Sequence, residues 1–514
     1  MDQHAAVPVT LPRARPTTPF WQDPPDADVA DLRSTPELPV SVDVVIVGSG
    51  ITGASIAHHL QKSGSSSLLM VEARQTSSGA TGRNGGHTKA ASYRSFQDHV
   101  SALGVEAAVQ IARLELAAIR GVHRLAAGGE NVDDSKGIAC DSNPCDTLDV
   151  VYDPAQWTAA QEAVAAMKVV MPAGDPAAEY TLYTREESLS LFPCSDDVDE
   201  TTGEVTAICG VVRYPAGSVS AYKFTVGILK RCLAKGLNLQ TNTPVLSIDK
   251  NDSGRWEVTT DRGTVSARHV VLATNGYTAH LVPSLQGVAV PLRGQITMHR
   301  PGSRMPDVAG EGTGLQTTYS FIYNGGYEYM ISRPPGSTCA GDIVIGGGLK
   351  FADTTEEGGA GTGGLCEYGT TDDTTINDTV SAYLRGAPVR YFGRGSTASG
   401  GGHSWGDDHP DGRIRKEWTG IMGYTPDGYP LVGEMPSPID GEDNSGLWLC
   451  CAFQGHGMAY SWPCGQALAR MILAKELDDT AKQQEQDAAL RKWFPDCFRV
   501  SEARLKLRFA GRLH

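Results

Sequence analysis

The segment from residue 42 to residue 87 constrains the fold of this chain most. Its apolar runs and glycines follow each other in the order of a βαβ unit. An apolar run ends in Gly48-Ser49-Gly50-Ile51-Thr52-Gly53, an amphipathic segment follows, and a second apolar run ends at Glu72. In such a unit the first glycine permits a sharp turn, the second lets a pyrophosphate approach the backbone, and the third lets the helix pack against the strand. The helix N-terminus then presents free N–H groups to the phosphates.

The acid after the second apolar run strengthens this prediction. Glu72 stands nineteen residues after Gly53 and is followed by Ala73-Arg74. An acid at about that spacing accepts hydrogen bonds from an adenosine ribose. A glycine-rich loop alone is weak support, but two flanking strands and the acid together indicate a dinucleotide site. We therefore predict an α/β fold with a Rossmann-like domain.

A second glycine-rich run narrows the cofactor. It reads Ser78-Gly79-Ala80-Thr81-Gly82-Arg83-Asn84-Gly85-Gly86-His87, and so many small residues let the backbone approach a large flat group. Together with the GxGxxG unit and the acid, this run resembles the FAD-dependent amine and amino-acid oxidases of the D-amino-acid oxidase type. That group includes γ-glutamylputrescine, glycine and sarcosine oxidases. The resemblance implies FAD as the cofactor, held by both glycine-rich runs and by Glu72, Ala73 and Arg74.

Later segments carry the same resemblance. Val245 matches the position where relatives contact the adenine side of FAD. The strand ending in Ala273-Thr274-Asn275 returns to the pyrophosphate in relatives, although Asn275-Gly276 is equally typical of an ordinary turn. In relatives, the stretch 418–433 and the turn 453–458 bracket the isoalloxazine, which assigns to the cofactor Gly423, Asp427, Gly455, His456, Gly457 and Met458. The next helix would direct its positive end at the flavin and stabilise the reduced form.

Two positions depart from the resembled group. Sarcosine-oxidase-like members tether FAD through a cysteine whose place is taken by Gly420, so we expect non-covalent FAD. In the same members a lysine three residues after the glycine-flanked histidine binds the substrate carboxylate, and here that residue is Ala459. We therefore expect an amine, a polyamine derivative or a secondary-metabolite amine as substrate rather than an α-amino acid.

The resemblance implies oxidation of a C–N bond to an imine, with a hydride passing to FAD N5 and O2 reoxidising the flavin to give H2O2. A positive group near the flavin would assist the oxygen step, and the candidates are His456, Lys350 and Arg293. Trp418 and Tyr424 are candidates for an aromatic wall around a cationic substrate. Each of these side chains, taken alone, is more typical of a structural role. Of the three candidates for the positive group we favour His456, because the resemblance fixes its turn.

Two other functions stay open. One is a FAD-dependent monooxygenase or other tailoring oxidoreductase of secondary metabolism. Aromatic hydroxylases carry a Gly-Asp pair near the flavin ribityl chain, whereas here Gly433 is followed by Glu434. The other is a protein that binds FAD without turnover. NADPH consumption without peroxide release would indicate the first, and a flavin that stays oxidised with every amine would indicate the second.

The pattern of elements divides the chain into two discontinuous domains. The FAD-binding domain, of the glutathione-reductase type, is predicted at 41–95, 211–285 and 411–480. An α+β substrate domain built on a mixed or antiparallel sheet is predicted at 96–210 and 286–410.

Local signals predict several features of the substrate domain. Apolar residues between 111 and 125 recur at helical spacing. Asp153-Pro154 is typical of a helix start, and Thr184-Arg185-Glu186-Glu187 has the form of a capping box. The stretches 353–376 and 393–412 are rich in Gly, Thr, Ser and Asp. We expect them to be mobile surface loops or, alternatively, a lid over the site.

Both ends of the chain are expected to lie outside the domains. Residues 1–40 contain eight prolines and predict an extended arm. Phe20 and Trp21 either pin that arm to the body, or the arm is a disordered leader. Residues 481–514 are predicted to form a charged, peripheral tail.

Composition limits the classes of function. The chain has 514 residues, more than the about 250–300 at which single cores stop growing, so we expect more than one domain. The net charge of −15 argues against nucleic acid or an anionic membrane as partner. No apolar run approaches the about 18 residues of a membrane span, and the N-terminus lacks the pattern of a secretory signal.

The cysteines indicate the compartment. There are eleven, and none has CxxC or zinc-like spacing, so we expect no metal, reduced thiols and a cytoplasmic protein. The expected partners are a small-molecule amine and molecular oxygen. The sequence assigns no oligomeric state.

Overall fold

A computed structural model describes residues 3–64, 67–129, 136–196, 207–305, 314–352, 365–393, 405–437 and 443–510. The strands in these ranges are β1 Ser41–Val47, β2 Leu68–Val71, β3 His87–Lys89, β4 Asn143–Val151, β5 Thr181–Thr184, β6 Gly210–Ser218, β7 Asn238–Gln240, β8 Val245–Lys250, β9 Trp256–Thr260, β10 Gly263–Leu272, β11 Val290–His299, β12 Thr318–Tyr323, β13 Gly326–Ser332, β14 Ile343–Gly346, β15 Ile414–Tyr424, β16 Leu431–Glu434 and β17 Leu447–Cys451. The α-helices are α1 Ile51–Ser63, α2 Tyr93–Leu103, α3 Val105–Ala127, α4 Pro154–Val170, α5 Arg185–Leu191, α6 Ala221–Ala234, α7 Thr278–Leu281, α8 Asp378–Phe392, α9 Gly457–Lys475, α10 Thr480–Arg491 and α11 Glu502–Leu505.

The first sheet is the predicted Rossmann-like sheet. Its order is β16-β17-β10-β1-β2-β7, and β8 and β9 extend it as antiparallel strands beside β10. The central strands β1, β2 and β10 pair in parallel. Val45 and Ile46 of β1 are fully buried, as expected for a parallel strand covered on both faces. The fold class predicted from the sequence is confirmed.

Helix α1 crosses α9 at close range on one face of this sheet. The Ser55 hydroxyl donates to the Trp462 carbonyl at 2.7 Å. A Cβ added at Gly465 would lie 2.6 Å from the side chain of Ser55. The crossing therefore requires glycine at 465, and it fixes the two helix N-termini relative to each other.

The second sheet has the order β15-β11-β14-β13-β12-β4-β6-β3, with β5 beside β6. Most neighbours are antiparallel, but β12 and β4 pair in parallel, so the sheet is mixed as expected. Helices α2 to α4 bury an apolar cluster that includes Phe96 and Met167 against one region of it. Tyr391 and Phe392 of α8 pack in another cluster with Phe321 of β12.

The predicted domain boundaries differ from the sheets at three strands. Strands β3, β6 and β15 fall within the ranges predicted for the FAD-binding domain, yet all three belong to the second sheet. The clearest case is β15, which pairs with β11 over almost its whole length. The chain therefore crosses between the two sheets at these strands.

Local predictions in the substrate domain are confirmed. Helix α3 covers the 111–125 pattern. The Asp153 side chain caps α4 by accepting from Gln156 N, and the capping box between Thr184 and Glu187 is present in both directions.

The prediction of a peripheral C-terminal tail is wrong. Phe494, Phe498 and Phe509 are fully buried or nearly so. The first two pack into the same apolar cluster as α1 and α9. The tail is charged on average, but these aromatic residues give it an apolar side that the core covers.

The arm is pinned, so the disordered-leader alternative is wrong for residues 3–40. Trp21 is buried and its Nε1 donates to the Asn84 carbonyl at 2.6 Å. Of the predicted loops, residues 353–364 and 394–404 lie outside the described residues. The part at 365–376 is packed rather than exposed, since Glu367 and Asp373 are buried.

Further observations concern the thiols, a membrane-spanning helix and a metal site. All eleven cysteines are free thiols, including Cys140 and Cys145. In the described part of the chain, no helix has the length and apolar character needed to cross a membrane. No cluster of three or more metal-ligating side chains occurs there either.

Candidate functional site

One large cavity lies where the two sheets meet. Its volume is about 1120 Å³, above the about 300–1,000 Å³ of most small-molecule sites, as expected if one cavity holds both a dinucleotide and its substrate. The carboxyl ends of β1 and β2 open into it through Val47 and Val71. Ligands of open parallel sheets bind at that edge.

The structure brings most of the predicted cofactor residues to this cavity. Those that line it are Gly48, Gly50, Ile51, Thr52, Glu72, Ala73, Arg74, Gly79, Thr81, Arg83, Asn84, Val245, Ala273, Thr274, Asn275, Asp427, Gly455, His456, Gly457 and Met458. Those that do not line it are Ser49, Gly53, Ser78, Gly82, Gly85, Gly86, His87 and Gly423.

The glycines at the start of α1 form a cradle that side chains would fill. Gly48 has φ +106°, and a Cβ there would lie 2.6 Å from the Ala273 carbonyl oxygen. A Cβ at Gly50 would lie 2.9 Å from Thr81 Oγ1, and that oxygen accepts from Ile51 N at 3.0 Å. A Cβ at Gly53 would overlap the Gly48 carbonyl. The turn therefore has the shape that lets backbone approach a pyrophosphate.

The predicted ribose acid is held in place beside this cradle. The Glu72 carboxylate accepts from Ser49 N at 3.0 Å and from Ser49 Oγ at 2.7 Å. Its other oxygen accepts from Arg74 N at 3.1 Å. Ser49 thus has a role as a support for Glu72, although it does not line the cavity.

The N-terminus of α9 also lines the cavity. His456 is the N-cap residue, and its Nδ1 donates to the Gln454 carbonyl at 2.8 Å. Asn275 has φ +48°, and its Oδ1 accepts from Ala452 N at 3.1 Å. Asn275 therefore ties the end of β10 to the turn before α9, and it also lines the cavity.

Two buried polar atoms at the cavity support a polar ligand. The Tyr277 hydroxyl and Arg83 Nη1 are buried without a hydrogen-bond partner, and both residues line the cavity. Burial lowers the pKa of Arg83 to about 10, although Asp373 opposes the shift, so the guanidinium stays charged at neutral pH. Neither α1 nor α9 has an acid in its first turn. These residues fit FAD, with a phosphate-binding cradle at the start of α1 and a second positive helix terminus at the start of α9.

The catalytic and substrate candidates are only partly brought together. His456, Lys350 and Tyr424 line the cavity. Arg293 does not, because its guanidinium pairs with the Glu367 carboxylate at 2.5 Å and 3.0 Å. Trp418 is fully buried away from the cavity, and its Nε1 donates to the Arg83 carbonyl at 2.8 Å. His87 is likewise buried in the second sheet, where Nε2 lies 2.7 Å from Thr318 Oγ1.

Sequence reasoning missed a charged group of residues on the substrate side of the cavity. Lys89, Tyr93, Arg94, Glu115 and Tyr327 all line it. The first three follow the glycine-rich run within seven residues of His87. That closeness, together with helical spacing after residue 93, is the signal that could have identified them.

A buried aspartate organises part of this group. Asp149 accepts from Tyr93 Oη at 2.9 Å, from Tyr214 Oη at 2.8 Å and from Lys89 Nζ at 3.3 Å. Burial would raise the pKa of Asp149, but Lys89, Arg94 and the two hydroxyls outweigh it, so the pKa is lowered. Asp149 is therefore ionised and neutralises Lys89.

Glu115 is an acidic side chain of the cavity wall. It is buried, and its carboxylate accepts from the hydroxyls of Ser92 and Tyr460. Burial lowers the pKa of His456, while the charge of Glu115 opposes that shift. The His456 imidazole is consequently neutral at pH 7 and lies close to a carboxylate.

Comparison with known proteins agrees with this geometry. A family model described as FAD dependent oxidoreductase (DAO) matches residues 43–471. The probable oxidoreductase OrdL of Rhizobium meliloti (strain 1021) is 23% identical over 480 residues, which cover 90% of this chain and 92% of that protein.

Solved structures show the same fold. Glycine oxidase from Geobacillus kaustophilus has a TM-score of 0.62 at 20% identity, covering 90% of this chain and 99% of that chain. Iminodiacetate oxidase from Chelativorans sp. BNC1 has a TM-score of 0.58 at 18% identity, covering 85% of this chain and 96% of that chain.

Proposed function

This chain belongs to the DAO family of FAD-dependent oxidoreductases, and from this premise we propose that it oxidises an amine that also carries a carboxylate. Its cofactor is FAD, which when bound supplies the acceptor for a hydride from the carbon beside the amine. The side chains of the cavity orient the substrate, exclude water and move protons.

The observation that carries this proposal is a cation in the cavity wall that forms no salt bridge within the described part of the chain, although the Asp149 carboxylate acts on it electrostatically. The Arg94 guanidinium lies over the Tyr327 ring, 4.4 Å from its centroid. Both side chains line the cavity, and no carboxylate among the described residues forms a salt bridge with Arg94. A stacked guanidinium is held in one plane and keeps its donors for a carboxylate. In a protein of net charge −15, such a group favours an anionic substrate.

Lys89 and Lys350, which also line the cavity, are less suited to this role. Lys89 is already paired with Asp149. Lys350 Nζ donates to the Asn324 carbonyl at 2.6 Å. The preference against α-amino acids was based on Ala459, but Ala459 does not line the cavity. Arg94 offers a different place for the carboxylate, so we include amino acids among the proposed substrates.

His456 is the group best placed to accept a proton from the substrate. A substrate amine must lose its proton before hydride transfer, because an ammonium cannot donate its electron pair. Nδ1 donates to the Gln454 carbonyl, so Nε2 of the neutral ring is the acceptor. We propose that Nε2 takes this proton and that Glu115 stabilises the imidazolium that results.

Three finer points belong to the same proposal. The flavin is bound without a covalent link, in support of which Gly420 lines the cavity at the place where sarcosine-oxidase-like relatives carry the tethering cysteine. Oxygen reoxidises the reduced flavin and yields H2O2, and Lys350 is the positive group that assists this step. The free thiols suit a reducing compartment, so we propose the cytoplasm.

Anaerobic reduction with matched amines tests the proposal. The purified flavoprotein is mixed without oxygen with L- and D-phenylalanine against phenethylamine, and with alanine against ethylamine, and flavin absorbance is followed. We expect the carboxylated member of a pair to bleach the flavin faster, with peroxide appearing when air is admitted. Equal rates would contradict the proposed contact between the substrate carboxylate and Arg94. A flavin that no amine bleaches, or NADPH oxidation without peroxide, would contradict amine oxidation itself.

A further inference from the structure

The N-terminal arm crosses the cofactor cavity, and we propose that residues 3–22 act as a strap that retains FAD. Thr10, Leu11 and Pro12 line the cavity. They do so at the adenosine end, because Arg74 Nη1 donates to the Arg13 carbonyl at 3.1 Å, and His280 Nδ1 lies 3.3 Å from the Val9 carbonyl. The arm is thus part of the cofactor site and not only a leader.

The Gln286 side chain helps to fasten the outer end of the strap. Gln286 Nε2 donates to the carbonyls of Ala5 at 2.6 Å and Val7 at 2.9 Å, and its Oε1 accepts from Val9 N at 3.3 Å. Gln286 does not line the cavity. Its three hydrogen bonds therefore hold the arm without direct contact with the cofactor.

The C-terminal segment closes over the same point. Ala5 and Phe509 are buried together in one small apolar cluster with Tyr368. Phe509 N donates to the Gly287 carbonyl at 2.8 Å, next to Gln286. The two ends of the chain thus meet in one clasp at the end of the strap.

The inner end of the strap is fastened to the FAD-binding run itself. The Arg83 guanidinium donates to the carbonyl and to Oγ1 of Thr17, and Thr17 Oγ1 also accepts from Thr419 N at 3.0 Å. Trp21 donates to the Asn84 carbonyl. Arg83 and Asn84 line the cavity, so the residues that would hold the flavin also hold the strap.

The composition of the strap suits this role. Residues 3–22 include Pro8, Pro12, Pro16 and Pro19. Each proline restricts the unfolded chain, so less conformational entropy is lost when the segment docks. The hydrogen bonds described above then hold the segment in place.

Cofactor release measures the strap directly. The Gln286→Ala variant removes three arm contacts outside the cavity, and a variant lacking residues 1–16 removes the outer strap altogether. Flavin release from the holoprotein into a large excess of an apoprotein that binds FAD tightly, or the fluorescence of the released flavin on dilution, gives the dissociation rate constant. We expect Gln286→Ala to raise that rate several-fold and the truncation to raise it at least tenfold. Gln484→Ala, on an exposed face of α10, is the matched control and should leave it unchanged.

Thermal unfolding of the apoprotein separates retention from simple folding support. If Gln286→Ala lowers the apoprotein midpoint but leaves the FAD dissociation rate unchanged, the strap proposal is wrong. Should the truncated chain fail to fold, Gln286→Ala and Phe509→Ala, which opens the clasp, decide the question by the same rate. The readout needs no substrate, so it stands or falls separately from the proposed amine oxidation.

Discussion

The two ends of the cavity are built from different materials. The cofactor end consists largely of backbone, with glycine turns, the N-terminus of α1 and short polar side chains such as Thr81. The substrate end consists of long side chains, Arg94 on Tyr327, Lys89 on Asp149 and Glu115 between two hydroxyls. Backbone-built sites depend on local conformation, whereas sites built from side chains depend on which elements the fold brings together.

This difference predicts how the two ends respond to mutation. A single Cβ in the cofactor cradle meets backbone atoms that cannot move aside, so the effect should be complete. A change at the substrate end removes one contact from a cavity that keeps its shape, so the effect should be graded and selective for substrate.

The largest effect is expected at Gly48. Alanine there would need an unfavourable positive φ and would place Cβ 2.6 Å from the Ala273 carbonyl. We predict that Gly48→Ala purifies without flavin, measured as flavin absorbance per protein. Gly121→Ala, in α3 with no atom within 4 Å of the added Cβ, should keep a full complement of FAD. Normal flavin content in Gly48→Ala would contradict the claim that the cofactor end cannot accept an added side chain.

The next effect is expected at Arg94. A hydrogen bond to a charged group contributes about 1.5–3 kcal/mol, and every 1.4 kcal/mol is tenfold, so Arg94→Met should lower kcat/KM for a carboxylated amine by about 10- to 150-fold. The loss should appear mainly in KM, and the amine without a carboxylate should be unaffected. Steady-state kinetics on matched pairs checks this, with Arg120→Met on the exposed side of α3 as control. Equal losses for both members of a pair would contradict a carboxylate contact.

The sequence predicted the cofactor end well for a physical reason. Gly48, Glu72 and Val245 are recognised because turn, strand end and acid follow each other at spacings that the βαβ unit imposes. Arg94 and Glu115 gave no comparable signal, because they meet only after α2 and α3 pack against the second sheet.

Average composition misled the prediction of the chain ends. The tail after residue 480 is charged overall, yet Phe498 and Phe509 are buried. Aromatic residues spaced through a charged segment were the available signal. The proline content of the arm correctly predicted an extended chain but did not show that Thr10 to Pro12 would wall the cavity.

Low pH should lower the stability of the second sheet, because two of its histidines are buried in the neutral form. Burial, with a smaller contribution from a nearby cation, lowers the pKa of His87 and of His299 to about 3. An unfolded histidine binds a proton at about pH 6.5, so between these values the unfolded chain binds more protons and stability falls as the pH drops. Each histidine contributes up to about 1.4 kcal/mol per pH unit.

Thermal unfolding between pH 7 and pH 5 checks this prediction. His87→Asn should show a smaller fall in midpoint than the parent protein, because one titrating group is lost. His409→Asn, at an exposed histidine, should behave like the parent. A midpoint independent of pH would show that His87 is not held neutral.

The smallest effect is expected at the tail. The Arg504 guanidinium donates to both carboxylate oxygens of Asp427, at 2.6 Å and 3.0 Å, and to the Tyr429 carbonyl at 2.8 Å. Asp427 lines the cavity, so Arg504→Met should loosen that turn and raise the Kd for FAD about fivefold, equivalent to about 1 kcal/mol. Arg508→Met, whose donors reach only neighbouring carbonyls, should leave the Kd unchanged. An unchanged Kd in Arg504→Met would contradict a contribution of the C-terminal tail to FAD binding.

The most direct test of one cavity with two different ends is a crystal structure of the protein with FAD and an unreactive carboxylate ligand. We expect the pyrophosphate at the N-terminus of α1, the isoalloxazine beside the turn that carries His456, and the ligand carboxylate on Arg94. An isoalloxazine outside the cavity, or a carboxylate bound away from Arg94, would contradict this expectation.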